Sequence, residues 1–394
     1  MKPALLYQSL TTDLSLAKRI GFNPYYQKMV RNSQGKLSVE AAPLFDLASN
    51  DYLGLATDPR VMAAMSDAVN RFGASFCGTP IATGYACVLA ELEVAIAGML
   101  GLESAVIFPS CFQANTSLFC TIAGPEDLII VDHYAHASLI WGIKTSGARL
   151  KPFLHNDLDH LEKQLGSASG FRRTFVVTES VFSTEGSIAP FSGMIALCGR
   201  YNATPVIDDS HGIGVIGKNG RGILDHAGID RYEGIYTASL GKALANTGGV
   251  IAGKREFIEY LRYACAGLIY STALVPASAA GILTAIAIVV NEFSMLGKKM
   301  WNNHKKLSSC LINAGFTLAN GEAPIASVRC GSPERTIALA KLLFDHGILS
   351  TPFVPPSVPP DQGVVRLIIG AKTDDTGVSE ITDSIRTLAE KANL

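Results

Sequence analysis

The sequence is poor in charged residues and carries almost no net charge. Only 17% of its 394 residues are Asp, Glu, Lys or Arg, and the formal net charge is −1. Such a balance gives no electrostatic basis for binding nucleic acid or an anionic membrane. The eight cysteines form neither a CxxC pair nor a dense framework, which is typical of reduced thiols. We therefore predict a cytoplasmic protein without nucleic-acid or membrane partners.

Long apolar runs are also scarce. The N-terminal region has no uninterrupted apolar signal segment, and the longest apolar run, residues 277–290, predicts a core helix too short to span a bilayer. Hydrophobic residues nevertheless make up 48% of the chain, which indicates a well-buried globular protein. Its length exceeds one ordinary core and predicts two or more domains.

Strand-like and helix-like segments alternate through most of the chain. This alternation predicts an α/β fold with a mainly parallel sheet and helices on both faces. The predicted strands are 104–110, 127–132, 149–154, 174–179, 204–209 and 248–253. We divide the chain into an N-terminal arm (1–48, helix then loop), a large domain (49–290) and a smaller α+β domain (291–394). Helices are predicted at 59–72, 277–290, 298–315, 332–346 and 376–391, and a further strand at 364–370.

The most informative polar pattern lies between residues 203 and 253. An apolar run ends in Asp208, Asp209, Ser210 and His211, as expected of a buried strand that presents polar groups at its carboxyl end. Lys242 follows among small residues, and burial there would lower its pKa and suit Schiff-base chemistry. Its alternative is a surface lysine that buries only its stem.

Two other interpretations of this region are disfavoured. A metal site on Asp208 and His211 lacks a further cluster of ligands, so we predict no metal. Residues 212–217 fit G-x-G-x-x-G, but they run into a turn at 218–222 instead of opening a helix. The dinucleotide motif requires that helix, so the match is only compositional.

The whole pattern resembles the α-oxoamine synthases, which are pyridoxal-phosphate (PLP) enzymes of fold type I that join an acyl-CoA to an amino acid. The segments that carry the resemblance are 49–56, 155–162, 178–190, 208–222, 239–243, 270–276 and 364–370. The resemblance implies a seven-stranded type of sheet, PLP as cofactor, acyl-CoA and amino-acid substrates, and a homodimer with shared active sites.

It also implies roles for individual residues. Lys242 matches the Schiff-base lysine, Asp208 the partner of the pyridine nitrogen, and His136 the imidazole stacked on the ring. His211 and Ser183 match positions beside the phenolic oxygen and the substrate. The matching phosphate contacts are Cys111, Phe112 and Ser239, with Ser271 and Thr272 from the partner subunit. Asn50 and Arg366 match the substrate side, where an arginine clamps the carboxylate.

The chain departs from the family on the acyl side. Common members have G-x-G-x-x-G-x-R-x-x-x-G followed by a histidine, where this chain has Gly73, Ser75, Gly78, Pro80 and Gly84, with Leu89 for the histidine. Most members also have glycine in place of Cys111. Losing the arginine and the histidine together disfavours dicarboxylic acyl groups and predicts a medium or long neutral chain.

The segment TASLGKA at 237–243 resembles the corresponding segment of the family branch that makes α-hydroxyketone signals. The alternatives within the family are 8-amino-7-oxononanoate synthase and glycine C-acetyltransferase. Outside it they are an aminotransferase, a non-catalytic relative or an NAD-binding protein.

Overall fold

The computed structural model describes residues 15–31, 36–39 and 42–392. Near the N-terminus a short helix α1 (Ser15–Ile20) precedes three strands, β1 (Met29–Arg31), β2 (Leu37–Val39) and β3 (Ala42–Asp46), which pair in an antiparallel ribbon. The predicted loop of the arm is therefore wrong where these strands lie, and the part of the arm before residue 15 falls outside the described residues.

A seven-stranded sheet forms the centre of the molecule. Its strands are β4 (Ser104–Phe108), β5 (Leu128–Asp132), β6 (Arg149–Phe153), β7 (Thr174–Glu179), β8 (Thr204–Asp208), β9 (Ile235–Ser239) and β10 (Gly249–Gly253). They lie in the order β4-β10-β9-β8-β7-β5-β6, and β10 alone runs antiparallel to its neighbours. The six predicted strands are confirmed, and β9 was missed.

Alternate residues of each central strand pack into different cores. Leu128 and Ile130 face one apolar cluster, whereas Ile129 and Val131 face another on the opposite side of the sheet. This is the period of two that a strand buried on both faces requires. Helices cover both faces, as the sequence predicted.

The covering helices follow the strands in chain order. They are α2 (Pro59–Phe72), α3 (Cys87–Leu100), α4 (Cys111–Ile122), α5 (Ala137–Ser146), α6 (Leu158–Gly166), α7 (Phe191–Arg200), α8 (Ile223–His226), α9 (Arg255–Ala264), α10 (Ala266–Ile269) and α11 (Pro276–Asn313). Helix α2 has the predicted bounds, because Asp58 caps its start by accepting from the Arg60 N–H and Pro59 occupies its first turn.

Helix α11 joins two helices that the sequence predicted as separate. It runs for 38 residues, so the apolar run at 277–290 is only its first part, and the predicted domain boundary at 290 falls within it. By length and composition alone this helix could cross a membrane, a test that core helices of soluble proteins also pass. Here Ile282 and Ala285 are fully buried in the main core.

The remaining elements build a second, smaller layer around a three-stranded antiparallel sheet. They are β11 (Ala326–Gly331), α12 (Pro333–Asp345), β12 (Ile348–Leu349), β13 (Thr351–Phe353), β14 (Gly363–Leu367) and α13 (Asp375–Ala392). The sheet order is β11-β14-β13, and β12 instead extends the N-terminal ribbon beside β3. Helix α11 is fastened to both layers, since Trp301 donates to the Val215 carbonyl (3.3 Å) and Asn303 to the Gly370 carbonyl (3.1 Å).

Candidate active site

The carboxyl ends of three parallel strands meet at one edge of the central sheet. Glu179, Asp208 and Ser239 are the last residues of β7, β8 and β9. Glu179 lies directly beside Asp208 in the strand register. A cavity of about 1690 Å³ opens at this edge and extends to the small layer. Open α/β sheets bind their ligands at such an edge.

Ten of the twelve predicted site residues line this cavity. They are Asn50, Cys111, Phe112, His136, Ser183, Asp208, His211, Ser239, Lys242 and Arg366. The other two, Ser271 and Thr272, lie at the surface outside it. The sequence predicted that this pair would serve a partner subunit.

The carboxylate of Asp208 is buried and held by two donors. Its Oδ2 accepts from the Asn115 side chain at 2.7 Å and its Oδ1 from the Ser210 backbone N–H at 3.0 Å. The thiol of Cys111 lies 4.0 Å from Oδ2. Fixed in this way, the carboxyl group of Asp208 lines the cavity.

Lys242 sits half-buried in a turn three residues after β9. Burial lowers the pKa of its amine, against the opposing effects of Asp208, Cys111 and Glu179. A neutral amine is a nucleophile and a base, as the predicted role of this lysine requires.

His136 forms the N-cap of helix α5. Its backbone N–H donates to Glu179 Oε1 (2.6 Å), and its Nδ1 lies 2.8 Å from the Ser138 hydroxyl. Asn115 donates to that hydroxyl as well as to Asp208, so one amide joins the imidazole to the carboxylate. Burial lowers the pKa of His136, which favours the neutral ring.

The start of helix α4 provides a site for an anion. Ser110 caps the helix by accepting from the Gln113 N–H at 3.2 Å, and Ser110, Cys111 and Phe112 line the cavity. The first turn of a helix has unpaired backbone N–H groups that suit an anion. Ser210 accepts from the Ser239 N–H at 2.8 Å and fixes the opposite side. A Cβ on Gly249 would lie 2.5 Å from the Cys111 backbone, so glycine is required there for strand and helix to meet.

Arg366 reaches the cavity from strand β14 and is 6% exposed. Its Nη1 donates to the Ser183 carbonyl at 3.1 Å, and its guanidinium lies 5.0 Å from the Phe353 ring centre. Its Nε is buried and has no partner among the described residues. A guanidinium that lines a cavity is suited to bind a carboxylate.

His211 also lines the cavity, and its Nδ1 is 2.9 Å from the Tyr52 hydroxyl. Burial, with the nearby charges of Lys242 and Arg366, places the pKa of His211 well below its ordinary value. The ring is therefore neutral, and it can exchange a hydrogen bond without adding charge. The buried Asn50 Oδ1 also has no partner in the described chain.

Together these groups fit PLP. They supply an amine, a buried carboxylate, an imidazole and a helix start for a phosphate around one cavity. A model of the family described as aminotransferase class I and II matches residues 42–385. The chain belongs to this family.

Curated relatives within the aminotransferase class I and II family match along nearly the whole chain. The 8-amino-7-oxononanoate synthase 1 of Bacillus velezensis is 33% identical over 368 residues, which is 93% of this chain and 94% of that protein. The serine palmitoyltransferase of Sphingobacterium spiritivorum is 28% identical, covering 96% and 94%. The solved serine palmitoyltransferase of Sphingomonas wittichii superposes with a TM-score of 0.91 at 26% identity, covering 100% and 98%. The α-oxoamine synthase resemblance and the fold class are confirmed.

Within this aminotransferase-family site the sequence analysis missed several supporting residues. Tyr52, Asn115, Ser138 and Glu179 hold the predicted residues in place, as described above. Glu179 and Tyr52 stand in segments that carried the resemblance, which was the available signal. Asn115 and Ser138 stand on helices, and only their tertiary contacts reveal them.

The structure also changes the interpretation of two other residues. Leu89 is 1% exposed and packs in the main core, so neither it nor Pro80 lines this chain's own cavity. Asp209 accepts from the Ile223 N–H (3.0 Å) and the Tyr236 hydroxyl (2.9 Å), which holds the turn before helix α8. Asp209 therefore has a structural role in this turn.

Proposed function

We propose that this protein condenses a medium or long neutral acyl-CoA with a small amino acid, releasing CoA and carbon dioxide and leaving an α-aminoketone. It is a PLP-dependent enzyme of the acyl-CoA:amino-acid acyltransferase type. The observation that carries the proposal is the single cavity that holds Lys242, Asp208 and Arg366. These three supply an amine, a carboxylate and a guanidinium to one cavity.

When bound, PLP withdraws electrons from the α-carbon of the amino acid. Asp208 would hold the proton on the ring nitrogen of the cofactor, and His136 would supply the imidazole beside the ring. Lys242, whose amine has a lowered pKa, takes the α-proton and later returns a proton to the product. Arg366, which lines the cavity, binds the substrate carboxylate through its guanidinium and orients the α-carbon toward Lys242.

The proposed acyl preference depends on the loop formed by residues 73–86. This loop has no Asp, Glu, Lys, Arg or His, and its Phe76 and Ile81 are exposed. Such a surface offers no charged partner to an acyl carboxylate, which costs several kcal/mol to desolvate alone, whereas each buried methylene gains about 0.8 kcal/mol. Leu89, buried in the main core, has no part in this preference.

A contact within the chain supports shared sites in a homodimer. The Ala273 N–H donates to the Gly78 carbonyl at 3.1 Å. The loop of residues 73–86 and the neighbouring pair Ser271 and Thr272 therefore form one surface unit. Since neither hydroxyl lines this chain's own cavity, we propose that the unit completes the site of a second copy. We also propose that the enzyme is cytoplasmic. The segment TASLGKA supports the further proposal that its α-aminoketone product is a precursor of an α-hydroxyketone signal.

The test is CoA release with glycine, alanine or serine against acetyl-, succinyl-, pimeloyl-, octanoyl- and decanoyl-CoA. We expect kcat/KM for octanoyl- or decanoyl-CoA to exceed that for both dicarboxylic acyl-CoAs by at least tenfold, and the product mass to equal an α-aminoketone. A preference for pimeloyl-CoA would instead indicate an 8-amino-7-oxononanoate synthase. Amino-group transfer without CoA release would overturn the acyltransferase proposal.

A further inference from the structure

The loop between β7 and α7 connects the substrate side of the cavity to a buried ion cluster. Its residue Ser183 presents the carbonyl that receives Arg366, and its Thr184 carbonyl accepts from Ser327 on β11. Glu185 and Ser187 follow in the same loop. The position of the Ser183 carbonyl therefore depends on whatever holds residues 183–187.

His155 holds them from the side opposite Arg366. Its Nδ1 lies 3.2 Å from both oxygens of Asp132, at the end of β5. Its Nε2 lies 2.9 Å from the Ser187 hydroxyl and 3.4 Å from Glu185 Oε1. We name Asp132, His155, Glu185 and Ser187 the His155 cluster. One imidazole thus bridges the carboxylate of Asp132, at the end of β5, and that of Glu185, in the loop after β7.

The cluster retains a positive charge on the imidazole. Burial alone would lower the pKa of His155, but the hydrogen bonds to Asp132 and Glu185 outweigh it and raise the pKa to about 9. Burial would likewise raise the pKa of Glu185, and its bonds to His155, Ser187 and Thr184 lower it instead. Both partners therefore indicate an ion pair at neutral pH.

The aromatic neighbours fix the ring but do not neutralise it. Tyr134 stacks on His155 at 4.7 Å between ring centres, and Phe182 meets its edge at 4.3 Å. Besides Asp132 and Glu185, the titratable groups around the ring are Tyr134 and His133, the latter 6.4 Å away between ring centres. The buried Asn156 Oδ1 has no partner, while its amide nitrogen lies 3.3 Å from His155 Nε2. A half-turn of that amide would therefore give a charged ring a further acceptor.

We propose that charged His155 is a positioning residue for substrate carboxylate binding, acting through the 183–187 loop on the orientation of Arg366. This inference rests on the proposed function, because it takes Arg366 as the carboxylate clamp. His155 does not line the cavity and touches no reacting atom. Its loss should weaken amino-acid binding and leave the chemical step nearly unchanged.

The pH dependence follows from the sign of the shift. The imidazole is charged below about pH 9 and neutral above it, so the 183–187 loop is held at pH 7–8 and released as pH rises through 9. The amino group of the free substrate also titrates near this pH. The comparison must therefore be between wild type and variant at each pH, where the substrate's titration cancels.

The experiment compares His155→Gln with wild type in amino-acid KM and kcat at saturating acyl-CoA, from pH 7 to 10. We expect KM to rise about tenfold at pH 7.5 with kcat within about threefold, and the two proteins to converge near pH 10. His160→Gln is the matched control, because His160 Nδ1 accepts only the Leu154 N–H in the same segment. Its KM should stay within about twofold of wild type.

A second variant and a second readout keep the inference testable if His155→Gln folds poorly. Glu185→Gln removes one carboxylate at constant size and should also raise KM. NMR titration of the imidazole C–H signals in the holoenzyme should show one histidine with a pKa near 9 that vanishes in His155→Gln and moves down in Glu185→Gln. A His155 signal that titrates at or below the ordinary value of about 6.5 would overturn the inference.

Arg366→Lys separates the two hypotheses. If Arg366→Lys raises the amino-acid KM and neither cluster variant does, the positioning role fails alone. If Arg366→Lys leaves KM unchanged, the proposed clamp itself is wrong.

Discussion

Replacing Asp208 by asparagine should reduce turnover far more than the same replacement at Asp209. The two carboxylates are neighbours in sequence and both buried, so the pair controls for size and position. Asp208 is the one that faces the cavity. A hydrogen bond between charged groups contributes about 1.5–3 kcal/mol, which corresponds to about 10- to 100-fold in rate. We expect a loss of about 100-fold in kcat for Asp208→Asn.

Asp209→Asn should cost less than about threefold in kcat. The asparagine oxygen can accept from Ile223 and Tyr236 as Oδ2 now does, and its amide would lie near the Ser180 hydroxyl, which has no partner among the described residues. Burial, the largest influence, raises the pKa of Asp209 to about 7 from an ordinary value of 3.8. The native carboxyl thus keeps its proton between about pH 4 and 7 where the unfolded chain loses it.

That difference fixes the sign of a stability effect. The stability that Asp209 contributes is present below about pH 4 and is lost as pH rises through 7, on the order of 4 kcal/mol. Asp209→Asn should therefore flatten the fall in unfolding free energy over this range. Urea unfolding at pH 5 and pH 8 measures this change in unfolding free energy. CoA release, divided by the bound cofactor measured from its absorbance, gives kcat. Equal losses of kcat at the two positions would refute the assignment of Asp208.

Two further predictions concern Lys242 and the dimer. Lys242→Ala should fold and bind PLP, but borohydride should attach no cofactor to the chain, as measured by peptide mass. Its turnover, measured by CoA release, should fall to background. Steady turnover near the wild-type rate would contradict the role of Lys242 as base. Mixing Lys242→Ala with Thr272→Ala chains, each weak alone, should restore up to about a quarter of wild-type activity, because half of the dimers are mixed and each has one intact site; a verified mixed dimer with no recovery would contradict shared sites.

The order of elements was predictable wherever a local pattern determines it. The strands around Ile107, Ile130 and Val206 carry apolar runs that only a buried strand explains, and their ends place Asp208 correctly. Strand β9 was missed because its sequence, IYTAS, has few apolar residues and ends in polar residues next to the lysine turn. No local signal shows that it pairs between β8 and β10.

Long-range contacts account for the rest. Asn115 and Tyr52 contact Asp208 and His211 from positions 93 and 159 residues away, so their roles follow from the fold and not from spacing. Leu89 was expected on the acyl side because it aligns with a family histidine. That alignment does not tell which side of helix α3 is buried. Helix α11 was divided because its polar second half lacks the apolar run of the first.

Helix α11 also limits how the two layers can move. It passes from the core of the large sheet to the small layer without a break, and Trp301 and Asn303 bind it to each side within one turn. A hinge needs a few residues that absorb large backbone rotations, and a continuous helix has none. The large sheet and the small layer should therefore keep a fixed separation, and closure around a substrate is left to the loop at 354–362, which lines the cavity. Cutting the chain at residue 290 would leave both halves with a severed core helix, so neither half should fold alone.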